Sequence, residues 1–172
     1  MVKIPIRLLQ LNDNGFHLLV EVVVFDRAFV AVLDTGASHT VFDKHTVEQY
    51  LPSSTVLEVS DMPSTGLGTN TMESYSLVVP ALQIGVNINE RIHLGLKPNA
   101  IHPVSPSKRF KPSLTLKNFE VAALDLSTIN YAYAQLELEP IIGVIGGDIL
   151  MHYGGIINYR TLTLTLRERK LN

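Results

Sequence analysis

The residues most suited to chemistry form a short run that follows an apolar segment: Leu33-Asp34-Thr35-Gly36-Ala37-Ser38. Asp34 comes at the end of a candidate buried strand, and Gly36 lets the backbone turn closely beneath its carboxylate. The hydroxyl of Thr35 can tie that turn to a neighbour. An isolated Asp-Thr-Gly is commonly an ordinary turn, because Asp and Gly are turn residues. The apolar strand in front of Asp34 instead favours a carboxylate held in place for acid or base chemistry.

A second run, far downstream, has two hydrophobic residues and a glycine before a predicted short helix: Val144-Ile145-Gly146-Gly147-Asp148-Ile149-Leu150. Two such motifs in this order are harder to obtain by chance than one. Together they resemble the retropepsin-like, or retroviral-type, aspartic proteases, and Ala37 in particular is similar to the retroviral loop. The resemblance is nearest to cellular or bacterial members and covers nearly the whole chain. It implies an all-β, acid-protease (retropepsin-like) β-barrel with two or three short helices.

The resemblance also implies an aspartic endopeptidase that needs no cofactor and no metal. Peptide hydrolysis requires a base that deprotonates water and an acid that protonates the substrate, and two carboxylates sharing one proton do both. The chain has one Asp-Thr-Gly. The second aspartate must therefore come from a second copy, so the mechanism predicts a homodimer with Asp34 near the twofold axis.

The same family resemblance assigns supporting roles to several residues. Thr35 of each chain would hydrogen-bond across the axis, the Gly36 amides would support the carboxylates, and Val144, Ile145 and Gly146 would support the loop. A glycine-containing hairpin tip would form a flap that closes over an extended peptide or protein substrate: Thr65, Gly66, Leu67, Gly68 and Thr69. Ala37 stands where pepsin-like loops have serine, which predicts a pH optimum in mild rather than strong acid.

The elements that must position Asp34 are mainly strands. Residues 16–25 and 29–33 predict a hairpin that turns around Asp26-Arg27, and further strands are expected at 40–42, 74–84, 91–96 and 114–126. Asp43 is placed to cap a helix that stops before Leu51-Pro52, and Ser127 to cap a second helix that ends at Gln135. In the tail, alternating Thr and Leu residues predict a half-buried strand, with one face formed by Leu162, Leu164 and Leu166.

Length, composition and net charge limit the number of domains and the classes of binding partner. The chain has 172 residues, 46% of them apolar, which suits a single domain spanning residues 1–172. Its formal charge of -2 gives no overall attraction to nucleic acid or to an anionic membrane surface. No run reaches the length of a membrane span. We therefore expect a soluble protein, cytoplasmic if this N-terminus is native and periplasmic or extracellular if a leader was removed.

Residues 97–113 predict a loop insertion rather than a domain boundary. The segment holds four of the nine prolines and four of the fourteen basic residues, and proline removes the donors that a strand ladder needs. Strand-like sequence continues on both sides of it. A basic cluster within it, Lys108, Arg109 and Lys111, could bind an anion but is more typical of a solvated loop.

Several other residues could form a catalytic, nucleotide-binding or metal site. Asp148 could be a second catalytic carboxylate, although an aspartate here is more typical of a cap in a supporting helix. Ser38 and His39 suggest a nucleophile and base, yet neighbours on an extended chain point to opposite faces. Gly143, Gly146 and Gly147 could suggest a phosphate-binding loop for a nucleotide, but the Gly-Lys-Ser/Thr ending of such a loop is absent. The histidines show no metal-ligand spacing: His17, His39, His45, His93, His102 and His152.

Two alternatives concern the function of the whole chain. A retropepsin-fold dimer could serve as a non-catalytic binding or scaffold domain, although the intact Asp34-Thr35-Gly36 argues against this. An unrelated β-barrel that binds a ligand would be a monomer in which both motifs are coincidental turns. Oligomeric state and peptide cleavage separate these classes.

Overall fold

The protein is built mainly of short strands. The computed structural model describes residues 1–11, 15–60, 73–85 and 114–167, with the backbone of residues 102–103. The strands are β1 (Val2–Pro5), β2 (Arg7–Gln10), β3 (Phe16–Val24), β4 (Arg27–Leu33), β5 (Val41–Asp43), β6 (Glu58–Val59), β7 (Tyr75–Ile84), β8 (His102–Pro103), β9 (Leu114–Leu124), β10 (Gly143–Ile145), β11 (Ile156–Asn158) and β12 (Thr163–Leu166). The helices in these ranges are α1 (Lys44–Tyr50), α2 (Ser127–Gln135) and α3 (Gly147–His152). The expected all-β class with short helices is confirmed.

A closed barrel forms the centre of the molecule. Its strands follow the order β3-β4-β10-β5-β9-β7, and a pairing between β3 and β7 closes the ring. The interior is apolar and includes Val22, Phe42, Val79 and Ile145, all fully buried. Strand β4, which leads to Asp34, pairs with β3 on one side and with β10 on the other. The barrel therefore fixes the end of β4 from both sides.

The hairpin before Asp34 forms one residue earlier than the sequence predicts. Val24 pairs with Arg27, so the two-residue loop is Phe25-Asp26, and both residues have positive φ, 52° and 55°. This backbone matches the right-handed twist of the flanking strands. The expected turn at Asp26-Arg27 is therefore shifted, because Arg27 belongs to β4 and places its guanidinium 4.4 Å from the ring centroid of Tyr50.

The cap expected at Asp43 is confirmed. Its Oδ2 accepts hydrogen bonds from Thr46 N at 2.9 Å and from Thr46 Oγ1 at 2.7 Å. Oδ1 accepts a third bond from Leu126 N at 3.1 Å. Asp43 is buried, so one carboxylate satisfies donors at the start of α1 and at the residue before α2.

The cap predicted at Ser127 is wrong. Ser127 is the first residue of α2, and its N–H donates to Asp125 Oδ1 at 2.8 Å. The carboxylate of Asp125 therefore accepts the hydrogen bond at the start of α2, the role that we predicted for the Ser127 hydroxyl. Hydrogen bonding with Ser127, with His45 nearby, lowers the pKa of Asp125 below its usual value.

The two ends of the described chain meet in a small second sheet with the order β1-β12-β11. Leu164 and Leu166 of β12 are buried, as the alternation predicts. Leu162 also packs on the core, but it lies in a turn with φ 47° and its carbonyl accepts a hydrogen bond from Ile6 N at 3.0 Å. The strand predicted in the tail thus begins only at Thr163.

Some predicted segments fall outside the described residues. These are the strand expected at 91–96 and the insertion at 97–113, except for the backbone of His102–Pro103, which pairs with Arg27 and Ala28 of β4. None of the helices in the described ranges is long and apolar enough to cross a membrane.

Candidate active site

Asp34 lies immediately after β4, where the strand ends beside β10. Leu33 is the parallel partner of Ile145, and the backbone N–H of Asp34 donates to the Ile145 carbonyl at 3.1 Å. Leu33 and Ile145 are buried, whereas Asp34 is exposed. The buried strand ends of the barrel thus hold the Asp34 carboxylate in a fixed position at the surface.

The turn after Asp34 folds back beneath its own carboxylate. Gly36 N donates to Asp34 Oδ1 at 2.9 Å, and Ala37 N donates to the Asp34 carbonyl at 3.3 Å. A Cβ atom on Gly36 would lie 3.3 Å from Oδ1, which leaves little room for a side chain there. Within one chain, the Gly36 amide is thus a hydrogen-bond donor to the Asp34 carboxylate.

The second motif holds the other side of this loop. Gly147 N donates to the Ala37 carbonyl at 2.8 Å, and Asp148 N donates to the Ser38 carbonyl at 3.0 Å. These two donors belong to the first residues of α3, whose N–H groups have no partner within the helix. The loop carbonyls satisfy them, so the beginning of α3 and the Asp34 loop stabilise each other.

A polar cluster around the buried Thr40 completes this connection. Thr40 is 0% exposed; its N–H donates to Asp148 Oδ2 and its Oγ1 donates to Asp148 Oδ1, each at 2.7 Å. Thr40 Oγ1 also accepts a hydrogen bond from Gly146 N at 3.2 Å. Asp148 is thus committed to Thr40 and to the Ile149 amide at 2.8 Å. This arrangement favours a structural role over our alternative of a second catalytic carboxylate.

Close backbone approach explains the glycines of the second motif. A Cβ on Gly146 would overlap the His39 carbonyl, and a Cβ on Gly143 would overlap the Val41 carbonyl. Gly143 also has a φ of 158°. These contacts give the glycines a packing role in joining β10 to the loop and β5.

The predicted flap residues, Thr65, Gly66, Leu67, Gly68 and Thr69, lie outside the described residues. The strands before and after them, β6 and β7, are described. Glu58 pairs with Ser76 and Val59 with Tyr75, and Ser60 N donates to the Ser74 carbonyl at 2.8 Å. The described strands on either side of residues 61–72 therefore pair with each other in antiparallel fashion.

The other candidates do not assemble into a second site. Ser38 and His39 are both exposed, like Thr35. Within the described part of the chain, no group of three or more His, Asp or Glu side chains is placed to hold a metal ion. Thr40 is the residue that the sequence reasoning missed; a polar residue directly before an apolar strand, six positions after Asp34, was its only signal.

Comparisons with known proteins give fold similarities at low identity. No family model and no curated protein matches the chain. The structure is similar to EIAV protease in complex with an inhibitor, with 16% identity, 85% of this chain and 95% of that chain covered, and a TM-score of 0.48. It is also similar to the retroviral protease-like domain of Ddi1 from Leishmania major, with 15% identity, 86% of each chain covered and a TM-score of 0.46. The chain thus has structural similarity to retroviral proteases.

Proposed function

We propose that the protein is an aspartic endopeptidase that acts as a homodimer, with one Asp34 from each subunit. The observation that carries this proposal is the exposed Asp34 carboxylate, fixed at the end of a buried barrel strand by Ile145 and by its own loop amide from Gly36. A surface carboxylate that only aids solubility does not need a fixed position. A catalytic carboxylate does, because the reaction rate depends on holding the reacting group in one geometry.

Chemistry requires the second carboxylate. In a pair of close carboxylates, repulsion keeps one protonated, so a base and an acid stand side by side. The ionised member takes a proton from water, whose oxygen attacks the peptide carbonyl carbon while the protonated member gives its proton to the carbonyl oxygen. Collapse of the tetrahedral intermediate then breaks the C–N bond as a proton passes to the departing nitrogen. No cofactor takes part in these steps.

Other predicted residues would act around this pair. Thr35 is exposed beside Asp34, where its hydroxyl would hydrogen-bond across the twofold axis. Residues 65–69 would form the flap, which would close over an extended peptide and exclude water. Val144, Ile145 and Gly146 would keep the loop in place, consistent with the hydrogen bonds to Asp34 and Thr40.

The second candidate function is a dimeric binding or scaffold domain without catalysis. It shares the fold and the dimer but requires no particular group at position 34. Asp34→Asn separates the two, because the amide keeps the shape of the side chain and removes the acid and base chemistry.

The test is cleavage of a diverse peptide library between about pH 3 and pH 7. Asp26→Asn is the matched control, since it makes the same chemical change at an exposed turn residue whose positive φ suits asparagine. We expect cleavage by the wild type and by Asp26→Asn, and a loss of at least about a thousandfold in Asp34→Asn. A folded wild-type dimer that cuts no peptide would favour the binding domain, and cleavage that survives in Asp34→Asn would contradict the proposed mechanism.

A further inference from the structure

Both ends of the Asp34 loop are anchored on consecutive residues of the second motif. At the beginning of the loop, Asp34 N donates to the Ile145 carbonyl at 3.1 Å. At its end, the His39 carbonyl packs against Gly146 so closely that a Cβ atom on that glycine would overlap it. The backbones of Asp34 and His39 therefore lie at the same end of β10, although residues 35–38 separate them in the sequence.

His39 combines a fixed backbone with an exposed side chain. The residue before it is held by α3, because Asp148 N donates to the Ser38 carbonyl at 3.0 Å. The residue after it, Thr40, is fully buried and donates its N–H to Asp148 Oδ2 at 2.7 Å. His39 itself is exposed between these two contacts. The loop thus presents an imidazole to solvent from a backbone position that is fixed relative to Asp34.

His39 is also the only ionisable residue between Asp34 and β5. In mild acid, the range expected for this site, a histidine side chain generally carries a positive charge. Within the described ranges, the ion pairs that involve histidine are those of His45, and the carboxylate of Asp148 is already hydrogen-bonded to three donors. A positive charge on His39 is therefore available to a carboxylate of a bound molecule.

An extended peptide held at Asp34 would carry its side chains past this imidazole. A strand advances about 3.3 Å per residue, so a peptide whose scissile carbonyl lies at Asp34 has several further side chains within about 10 Å on either side. A carboxylate among them would accept a charge-assisted hydrogen bond from His39, which is stronger than a bond between neutral groups. A lysine or arginine at the same place would be repelled.

We propose that His39 makes this site selective for acidic peptides, by binding an aspartate or glutamate side chain within about three residues of the bond that is cut. The inference rests on the proposed function and adds the class of substrate to it. The proton transfers belong to the Asp34 pair, and His39 selects the substrate. A neutral residue of similar size at position 39 should therefore keep the cleavage of neutral peptides and lose the preference for acidic ones.

The test compares matched substrates. Peptides that the wild type cuts are identified from the library, and each is then made with glutamate or glutamine at every position up to about three residues from the cleaved bond. The ratio of the two kcat/KM values is measured at about pH 5, where histidine is charged and glutamate is ionised. We expect the wild type to favour glutamate by at least about fivefold at one or more positions, and His39→Gln by less than about twofold. His45→Gln, the same change at an exposed histidine of α1, should keep the wild-type ratio, and His39→Asp should favour lysine over glutamine.

The outcomes separate the selectivity from the chemistry. Equal rates for glutamate and glutamine peptides in the wild type, or a glutamate preference that survives in His39→Gln, would overturn the inference, while cleavage lost in Asp34→Asn would still support the endopeptidase. If the wild type cuts no peptide, the library is captured on the immobilised wild type and the bound peptides are sequenced. Acidic peptides enriched by the wild type and not by His39→Gln would keep the inference and contradict the proposed function, and no such enrichment would overturn both. Circular dichroism verifies folding, and His39→Asn replaces His39→Gln if that variant does not fold.

Discussion

The carboxylate of Asp148 accepts two hydrogen bonds from Thr40, one from its backbone N–H and one from its hydroxyl, each at 2.7 Å. The two residues lie far apart in the sequence and join the beginning of α3 to the residue after the Asp34 loop. Thr40 is fully buried, so its two donors depend on Asp148 for their partners. This contact links the second motif to the position of Asp34.

Asp148→Ala removes the acceptor from both donors of Thr40. A buried donor without a partner costs about 1–3 kcal/mol, so we expect the free energy of unfolding to fall by about 2–4 kcal/mol in urea denaturation. Asp148→Asn keeps one acceptor and should lose less. Glu120→Ala, an exposed acidic residue on β9, is the control and should change stability by less than about 0.5 kcal/mol. Equal stabilities of Asp148→Ala and wild type would show that the contact contributes nothing.

Gly146→Ala places a Cβ against the His39 carbonyl. The backbone of β10 and the loop must then separate, and overpacking of this kind costs about 1–3 kcal/mol. We expect a lower thermal midpoint and weaker peptide cleavage in the same variant. Gly15→Ala is the control, because its Cβ would meet only the Leu11 side chain at an ordinary 3.5 Å. A variant Gly146→Ala as stable as Gly15→Ala would contradict the close contact.

Ala37→Ser should extend peptide cleavage toward stronger acid. The serine adds a hydroxyl next to the loop that carries Asp34, and a donor to the ionised carboxylate favours the charged form at lower pH. We expect the acidic limb of the profile of kcat/KM against pH to move down by about half a unit to one unit. Ser38→Ala, one residue further along the loop and exposed, should leave the profile in place. An acidic limb that does not move in Ala37→Ser would separate residue 37 from the control of pH.

In strong alkali, the wild type should lose stability as Tyr133 ionises, and Tyr133→Phe should not show this loss. Burial raises the pKa of Tyr133 from 10.0 to about 12, and its hydroxyl lies 2.6 Å from His17 Nδ1. Because the folded pKa lies above the unfolded one, the fold favours the protonated tyrosine; this contribution is complete below pH 10 and is lost as the pH rises to about 12.

The measurement is urea denaturation of wild type and Tyr133→Phe at intervals across that pH range. Subtracting the two free energies of unfolding at each pH removes the contribution of the other tyrosines, which both proteins share. We expect the wild type to be the more stable below pH 10, where the hydrogen bond is intact, and to lose this advantage toward pH 12. A constant difference would mean that Tyr133 does not titrate in this range.

Local pattern was sufficient for the parts of the molecule that depend on neighbouring residues. The Asp43 cap, the hairpin before Asp34 and the alternation of Leu164 and Leu166 follow from short-range chemistry, and each is present. Two local predictions were displaced by one or two residues. Asp125 rather than Ser127 meets the first amide of α2, and the hairpin turn falls one residue before its expected place.

By itself, the sequence determined that the chain is mainly β, that Asp34 ends a buried strand and that a second motif accompanies it. Only the tertiary structure decided that Asp148 binds Thr40, that Ile145 holds the Asp34 amide, and that β1 pairs with β12 in the same chain. These contacts join residues distant along the chain. The first two form when the barrel brings β4, β5 and β10 side by side, and the third forms when the two ends of the described chain meet in the small sheet. No pattern of neighbouring residues records which distant donor will meet which acceptor.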